Sequence, residues 1–309
     1  MHGRCQMNDP IVIAGATGRL GGLIISELLR LDANVRALVR RDSAADDVER
    51  LCKGGASVSI VDYFDAEELK RACSSASCIV SALSGLEDVI VDAQAQLLHA
   101  AVKAGVPRFI PSDYAVDFTK LRDGSNRNFD LRRKFHRQLD TAPVAATSVL
   151  NGMFTDLLVG PAPVILFKLH RVLYWEDADQ LLDFTTIENT AEFTARAALD
   201  PSTPRFLRIA GDVVSARDLA QISTDVTGEQ FKLMRAGGLG RLAGIIKVMR
   251  LLMRSDEVFP PWQGMQYLHN MFSGLPKLDP LDNDRYPNIR WTKVREVIQK
   301  VRPVNSPAG

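Results

Sequence analysis

A glycine-rich turn directly behind a short β-branched run constrains this chain more than any other feature. Ile11-Val12-Ile13-Ala14 reads as a buried strand, and Gly15-Ala16-Thr17-Gly18-Arg19-Leu20-Gly21-Gly22 follows at once and opens a helical pattern from about Leu20 to Arg30. In that setting Gly15 allows the tight turn, Gly18 lets backbone approach a pyrophosphate, and Gly21 lets the helix pack on the sheet. The helix N-terminus adds N–H donors and the positive end of a dipole. Gly15, Thr17, Gly18, Arg19, Leu20 and Gly21 are therefore expected to hold the phosphates of a dinucleotide.

The next hundred residues repeat the strand-helix rhythm. Val35–Val39, Val58–Val61, Cys78–Ala82 and Arg108–Pro111 read as strands, while Ala66–Cys73 and Asp88–Ala104 have helical periodicity, the latter ended by Gly105 and Pro107. Strict alternation implies right-handed crossovers and a doubly wound parallel α/β sheet covered on both faces. After residue 150 the rhythm breaks at Pro161 and Pro163, and a less regular α+β half follows. Val164 to Val172 is apolar, and Tyr174 to Gln180 reads as an acidic loop with aromatics. Phe184-Thr185-Thr186-Ile187 reads as a strand before a helix over Asn189–Leu199 with Asn189 as N-cap. Phe206–Ile209 precedes a helix from Ser215, its expected cap, to about Val226. The division expected is a flexible start over 1–10, a dinucleotide-binding lobe over 11–150, a second lobe over 151–302 and a tail over 303–309.

Composition excludes several classes. Lys+Arg 38 against Asp+Glu 37 provides no field for gathering nucleic acid or anionic lipid. Cys5, Cys52, Cys73 and Cys78 have no C-x-x-C spacing, and the five histidines, His99 in an Ala/Leu-rich helix among them, show no ligand spacing, so no metal is expected. The start of the chain has no long apolar region of a signal peptide, and the run Leu239–Met253 is broken by Arg241, Lys247 and Arg250. A cytoplasmic protein with reduced thiols is the expectation.

Two features select the dinucleotide. An NAD site wants an acidic residue at the end of the second strand, whereas this chain has Arg40-Arg41-Asp42-Ser43 there. Arg40 has the planar fork for a 2′-phosphate, with Arg41, Ser43 and Arg19 as further donors, so NADP(H) is expected although Asp42 lies close by. Asp62, after the third strand, is placed either to meet the adenine amino group or to cap the helix near Asp65.

Gly15-Ala16-Thr17-Gly18-x-x-Gly21, Ala37-Leu38-Val39-Arg40, Val80-Ser81-Ala82-Leu83-Ser84, Arg108-Phe109-Ile110-Pro111-Ser112-Asp113-Tyr114 and Phe184-Thr185-Thr186-Ile187 together resemble the NmrA-like and isoflavone-reductase-like group of atypical short-chain dehydrogenases/reductases. The resemblance runs from about residue 11 to 230. It implies a Rossmann lobe with a smaller C-terminal substrate lobe, and a nicotinamide near Ser81, Ala82, Leu83 and Ser112 to Tyr114. It also implies that Asn151, Met153 and Phe154 border a substrate cleft, although core packing explains Met153 and Phe154 equally.

Reductases of this group carry a lysine on the helix after the fifth strand. Here that position falls on Arg132, with Lys134 two residues on, and Phe118 excludes a Tyr-x-x-x-Lys pair with Tyr114. Arginine does not lose its proton, so it polarises or orients and does not shuttle. Lys134, Tyr114 and Arg132 are the catalytic candidates, set against a solvated basic face for Arg132, Arg133, Lys134 and Arg137, and His136 reads as a surface residue. Asp113 and Tyr114 sit at a strand's carboxyl edge, as ligand or as packing residues, with Asp113, Asn151 and Phe154 as substrate candidates. The basic helix Leu239 to Arg254 and the aromatic stretch to Phe272 read as a lid, a protein contact including a homo-oligomer, or a membrane-surface helix, and the absence of a lipidation signal with mixed charge elsewhere favours the first two. Two readings follow: a reductase of a small aromatic or quinone-like carbonyl or conjugated alkene, or a non-catalytic NADP(H)-binding sensor acting on a protein partner.

Overall fold

The computed structural model describes residues 9–160, 162–253 and 256–301. The expected tail 303–309, Arg254 and all but two residues of the expected flexible start lie outside the described residues. The first half contains β1 (Ile11–Ala14), α1 (Arg19–Arg30), β2 (Val35–Arg40), α2 (Ala45–Lys53), β3 (Ser57–Val61) and α3 (Ala66–Cys73). It continues with β4 (Cys78–Ser81), α4 (Gln94–Lys103), β5 (Arg108–Ile110), α5 (Arg127–Leu139) and β6 (Ala145–Ala146). A π-helical turn, Asp88–Ala93, leads into α4. The six strands form one parallel sheet in the order β3-β2-β1-β4-β5-β6.

Both faces are covered, which is why β1 is apolar at every position. Ile11 and Ile13 join a core with Ile24 and Leu28 of α1, while Val12 and Ala14 face Leu69, Leu97, Phe135 and Leu139. The order of strands reverses between β1 and β4, and open α/β sheets bind ligands in the crevice at such a switch point.

The second half runs β7 (Ser148–Leu150), β8 (Met153–Phe154), β9 (Ile165–Leu166), β10 (Arg171–Trp175), β11 (Leu182–Thr185) and α6 (Ile187–Leu199). Next come β12 (Phe206–Arg208), β13 (Asp212–Val214), α7 (Ala216–Thr227), β14 (Lys232–Gly237), α8 (Leu239–Leu252), α9 (Pro261–Phe272) and α10 (Val294–Val301). Tyr174 and Trp175 close β10, which pairs with β14, so the expected aromatic loop begins later, at Glu176. The N-cap of α6 is Thr186 and not Asn189: the Thr186 hydroxyl accepts from Asn189 N, and Ile187 is already helical. Ser215 caps α7 in a reciprocal box with Asp218. α6 is not remote from the sheet, since Ala191, Phe193 and Ala197 share the core of β1 and α1.

Candidate functional site

The crevice at the switch point is built by glycines. Gly15 has φ +78°, and a Cβ there would lie 2.5 Å from Ala82 O, so the turn rests directly on the backbone leaving β4. A Cβ on Gly21 would collide with Gly15 O, which fixes how close α1 comes to the turn. Gly18 differs: the nearest protein atom to an added Cβ is Gly15 O at 3.3 Å, and the rest of its surroundings is open. Gly18 caps α1 without a side-chain hydrogen bond, and the first turn of α1 has no acidic residue. Helix-start N–H groups lack intrahelical partners, so this end offers donors to an anion and the cradle fits a dinucleotide pyrophosphate. Thr17 and Leu20 flank it, both half-buried.

At the end of β2 the Arg40 side chain is 66% exposed, and its ion pair among the described residues is with Asp42, at 3.2 Å. Its fork is therefore available to a 2′-phosphate. Arg41 is engaged differently, paired with Glu68, which also accepts from Asp62 N. Asp62 is committed to its own turn, its Oδ1 accepting from Phe64 N at 2.9 Å, and the cap of α3 is Asp65. Tyr63 is buried beside Gly15, and burial pushes its phenol well up. Phe64, 67% exposed at this edge, is an aromatic that helical and strand periodicity do not single out.

A continuous chain of contacts runs from the glycine turn to α5. Gly15 abuts Ala82; Ser112 Oγ donates to Leu83 O at 2.7 Å; and Arg132 Nε donates to Ser112 O at 3.1 Å. Ser112 N donates to the buried Gln94 Oε1, which ties the same loop to α4. Arg132 thus lies half-buried over the ends of β4 and β5, with Nη1 on Asn128 O and no partner for Nη2 among the described residues. Ser81 Oγ and both polar atoms of the Asn151 amide are buried without protein partners at the ends of β4 and β7.

The remaining candidates are spread apart. Lys134 is exposed and paired with Glu87, at the start of the π-helical turn. Tyr114 is buried in the core shared with α6, where desolvation raises its phenol far above the ordinary range, which opposes proton transfer. Phe154 packs at the margin of that core. Asp113 is 0% exposed; Oδ2 accepts from Ser148 Oγ at 2.5 Å and meets His136 Nε2 at 2.6 Å, while Oδ1 has no hydrogen-bond partner among the described residues. His136 is 7% exposed between the rings of Phe118 and Phe206, which corrects the surface reading. Arg205 lies 3.4 Å from His136 Nδ1, and because arginine only donates, the imidazole proton belongs on Nε2, toward Asp113. Burial alone would raise the Asp113 carboxyl; His136, Ser148 and Arg132 hold it below the usual range.

Arg19 reaches across to the second half of the chain. Its Nη2 lies 2.7 Å from Asp156 Oδ1 and 3.1 Å from Glu188 Oε1. Asp156 and Glu188, like Ser148 and Arg205, stand too far from their partners in sequence for any spacing rule to find. Among the described residues no helix is long and apolar enough to cross a membrane, and no group of three or more His, Cys, Asp or Glu is placed to hold a metal.

Known proteins of this shape are informative. The chain is 23% identical over 263 residues to an oxidoreductase (swnN) of Metarhizium robertsii, covering 72% of this chain and 75% of that relative. AtPrR2, solved with NADP+ and (+)pinoresinol, superposes with a TM-score of 0.81 at 20% identity over 95% of this chain and 98% of its own. The NADPH-dependent quinone oxidoreductase QOR2 of Escherichia coli, solved with NADPH, gives 0.73 at 19% identity over 94% and 99%. The sequence model of the NmrA-like family matches residues 7–246, and the chain belongs to that family.

Proposed function

We propose that this protein is an NADP(H)-dependent reductase of a small aromatic or quinone-like carbonyl or conjugated alkene. The observation that carries the reading is the unbroken line from the Gly15 turn through Ala82, Leu83 and Ser112 to Arg132, which sets a fixed cation beside the cradle. Gly15, Gly18 and Gly21 with the α1 N-terminus hold the diphosphate, Arg40 the 2′-phosphate, and the backbone at Ser81–Leu83 the nicotinamide end. When bound, the cofactor supplies the hydride. Arg132 then does what an arginine can do: it stabilises negative charge developing on the acceptor oxygen without giving up a proton. That favours acceptors whose reduced oxyanion is weakly basic and takes its proton from water, as quinones and phenolic enones do. The structural neighbours support this, for they include AtPrR2 solved with NADP+ and a quinone oxidoreductase solved with NADPH.

The test is NADPH oxidation with a panel of quinones, aldehydes and phenolic enones, with calorimetric cofactor binding in parallel. Turnover of a quinone or enone is expected. A second reading, a cofactor sensor acting on a protein partner through the C-terminal lobe, is favoured by one observation: Arg132 stands where a lysine would hand on a proton. Tight NADPH binding without turnover of any acceptor would select it.

A further inference from the structure

Arg19 is the first residue of α1, and its guanidinium bridges two carboxylates of the second half of the chain. Asp156 belongs to the turn Thr155–Val159, immediately after Phe154. Its other oxygen, Oδ2, accepts from Ile187 N at 3.0 Å, the first N–H of α6, and Glu188 is the next residue of that helix. α1 and α6 pack together with both N-termini at the carboxyl edge of the sheet. The two ends are treated oppositely: Asp156 and Glu188 supply negative charge to α6, whereas the α1 end has neither an acidic first turn nor a side-chain cap. Arg19 stands between them.

We propose that Arg19, Asp156 and Glu188 form an ion-pair latch that tunes the affinity of the α1 N-terminus for the cofactor diphosphate and reports its arrival to the substrate side of the site. The proposal rests on the cofactor reading above. A diphosphate on the α1 end competes with the two carboxylates for the same guanidinium, so the acid pair lowers cofactor affinity by holding Arg19 away from it. Drawing Arg19 toward the diphosphate leaves Asp156 with only its bond to Ile187 N and loosens the turn that follows Phe154. Cofactor binding thereby precedes and conditions the substrate surface.

The experiment measures NADPH affinity by calorimetry for the wild type, Glu188→Gln, Asp156→Asn, Arg19→Ala and the double variant Arg19→Ala/Glu188→Gln, with amide exchange of residues 155–159. An exposed ion pair of this kind sets the scale, so Glu188→Gln is expected to bind NADPH about two- to fivefold tighter than wild type. The gain disappears when Arg19 is already alanine. Exchange over 155–159 rises when NADPH is added to the wild type and is raised without it in Arg19→Ala. Unchanged NADPH affinity in both carboxylate variants, with unchanged exchange, overturns the latch and leaves the cofactor reading intact. Absence of NADPH binding by the wild type overturns both.

Discussion

A side chain at position 18 and one at position 15 would meet different things. At Gly18 it would meet little protein and would fill the space that a pyrophosphate needs. Gly18→Val is expected to abolish NADPH binding while thermal unfolding stays close to wild type; retained affinity in the folded variant removes the dinucleotide reading. At Gly15 the backbone itself is at issue, because φ is +78° and Ala82 O is 2.5 Å from any added Cβ. Gly15→Ala should therefore destabilise by at least about 1–3 kcal/mol, measured by denaturant titration. Arg40 is exposed with the Asp42 carboxylate beside it, and a charge-assisted bond to a 2′-phosphate is worth about 1.5–3 kcal/mol. Arg40→Ala should cut a preference for NADPH over NADH by about tenfold or more, with NADH affinity unchanged.

The helix α5 concentrates the question of chemistry. Arg132 reaches Ser112 O, whereas Lys134 extends to Glu87 in exposed surroundings. Loss of a donor aimed at developing charge costs about 10²- to 10³-fold in turnover, so Arg132→Ala should fall by that order and Arg132→Lys by less. Lys134→Ala should stay within about fivefold, the scale of an exposed ion pair. A collapse of turnover in Lys134→Ala, with NADPH affinity intact, would make Lys134 the proton donor instead. The sequence shows much of this helix's neighbourhood but not its interior. Arg132 to Arg137 reads as a charge run, yet Arg133 bonds Phe118 O and His136 is enclosed by aromatic rings, contacts that close only when distant segments fold together. α2 is missed for the opposite reason: its apolar stripe is short, Val48 and Leu51 set among charged residues, and Leu51 alone is buried. The Rossmann strands and the glycine turn are legible because burial on two faces and a forced positive φ leave unambiguous residue types. The cap of α6 is misplaced by three residues because Thr186 and Asn189 are both capping residues and only geometry decides between them.

Across the whole molecule, acid stability follows from carboxylates whose ionised forms are held by partners. Burial opposes ionisation of Asp113, but His136, Ser148 and Arg132 prevail; Asp200 is likewise held low against its burial by Ser202, Arg285 and Tyr286. A folded carboxyl below its unfolded value of about 3.9 contributes stability that is fully present above that pH and is lost as pH falls through the folded value. The melting temperature should therefore be level from neutrality down to about pH 5 and drop in more acid solution. Asp113→Asn should lower it at neutral pH and flatten the acid drop, as calorimetric scans would show. The Asp200 cluster joins the end of α6 to the segment before α10, and that segment returns Ile289 to the core beneath β1 before Val294 and Ile298 enter a third core, which gathers Phe118, Leu150, Phe184 and Leu219. Membership of the two cores alternates along the chain: Tyr114 and Ala115 part company, as do Val149 and Leu150, and the division recurs between Phe184 and Ala191 and again between Ile209 and Val214. A polypeptide laced in this way is not modular. No single cut yields two pieces that each keep a core whole, so neither half of the chain could be transplanted or shuffled without the other.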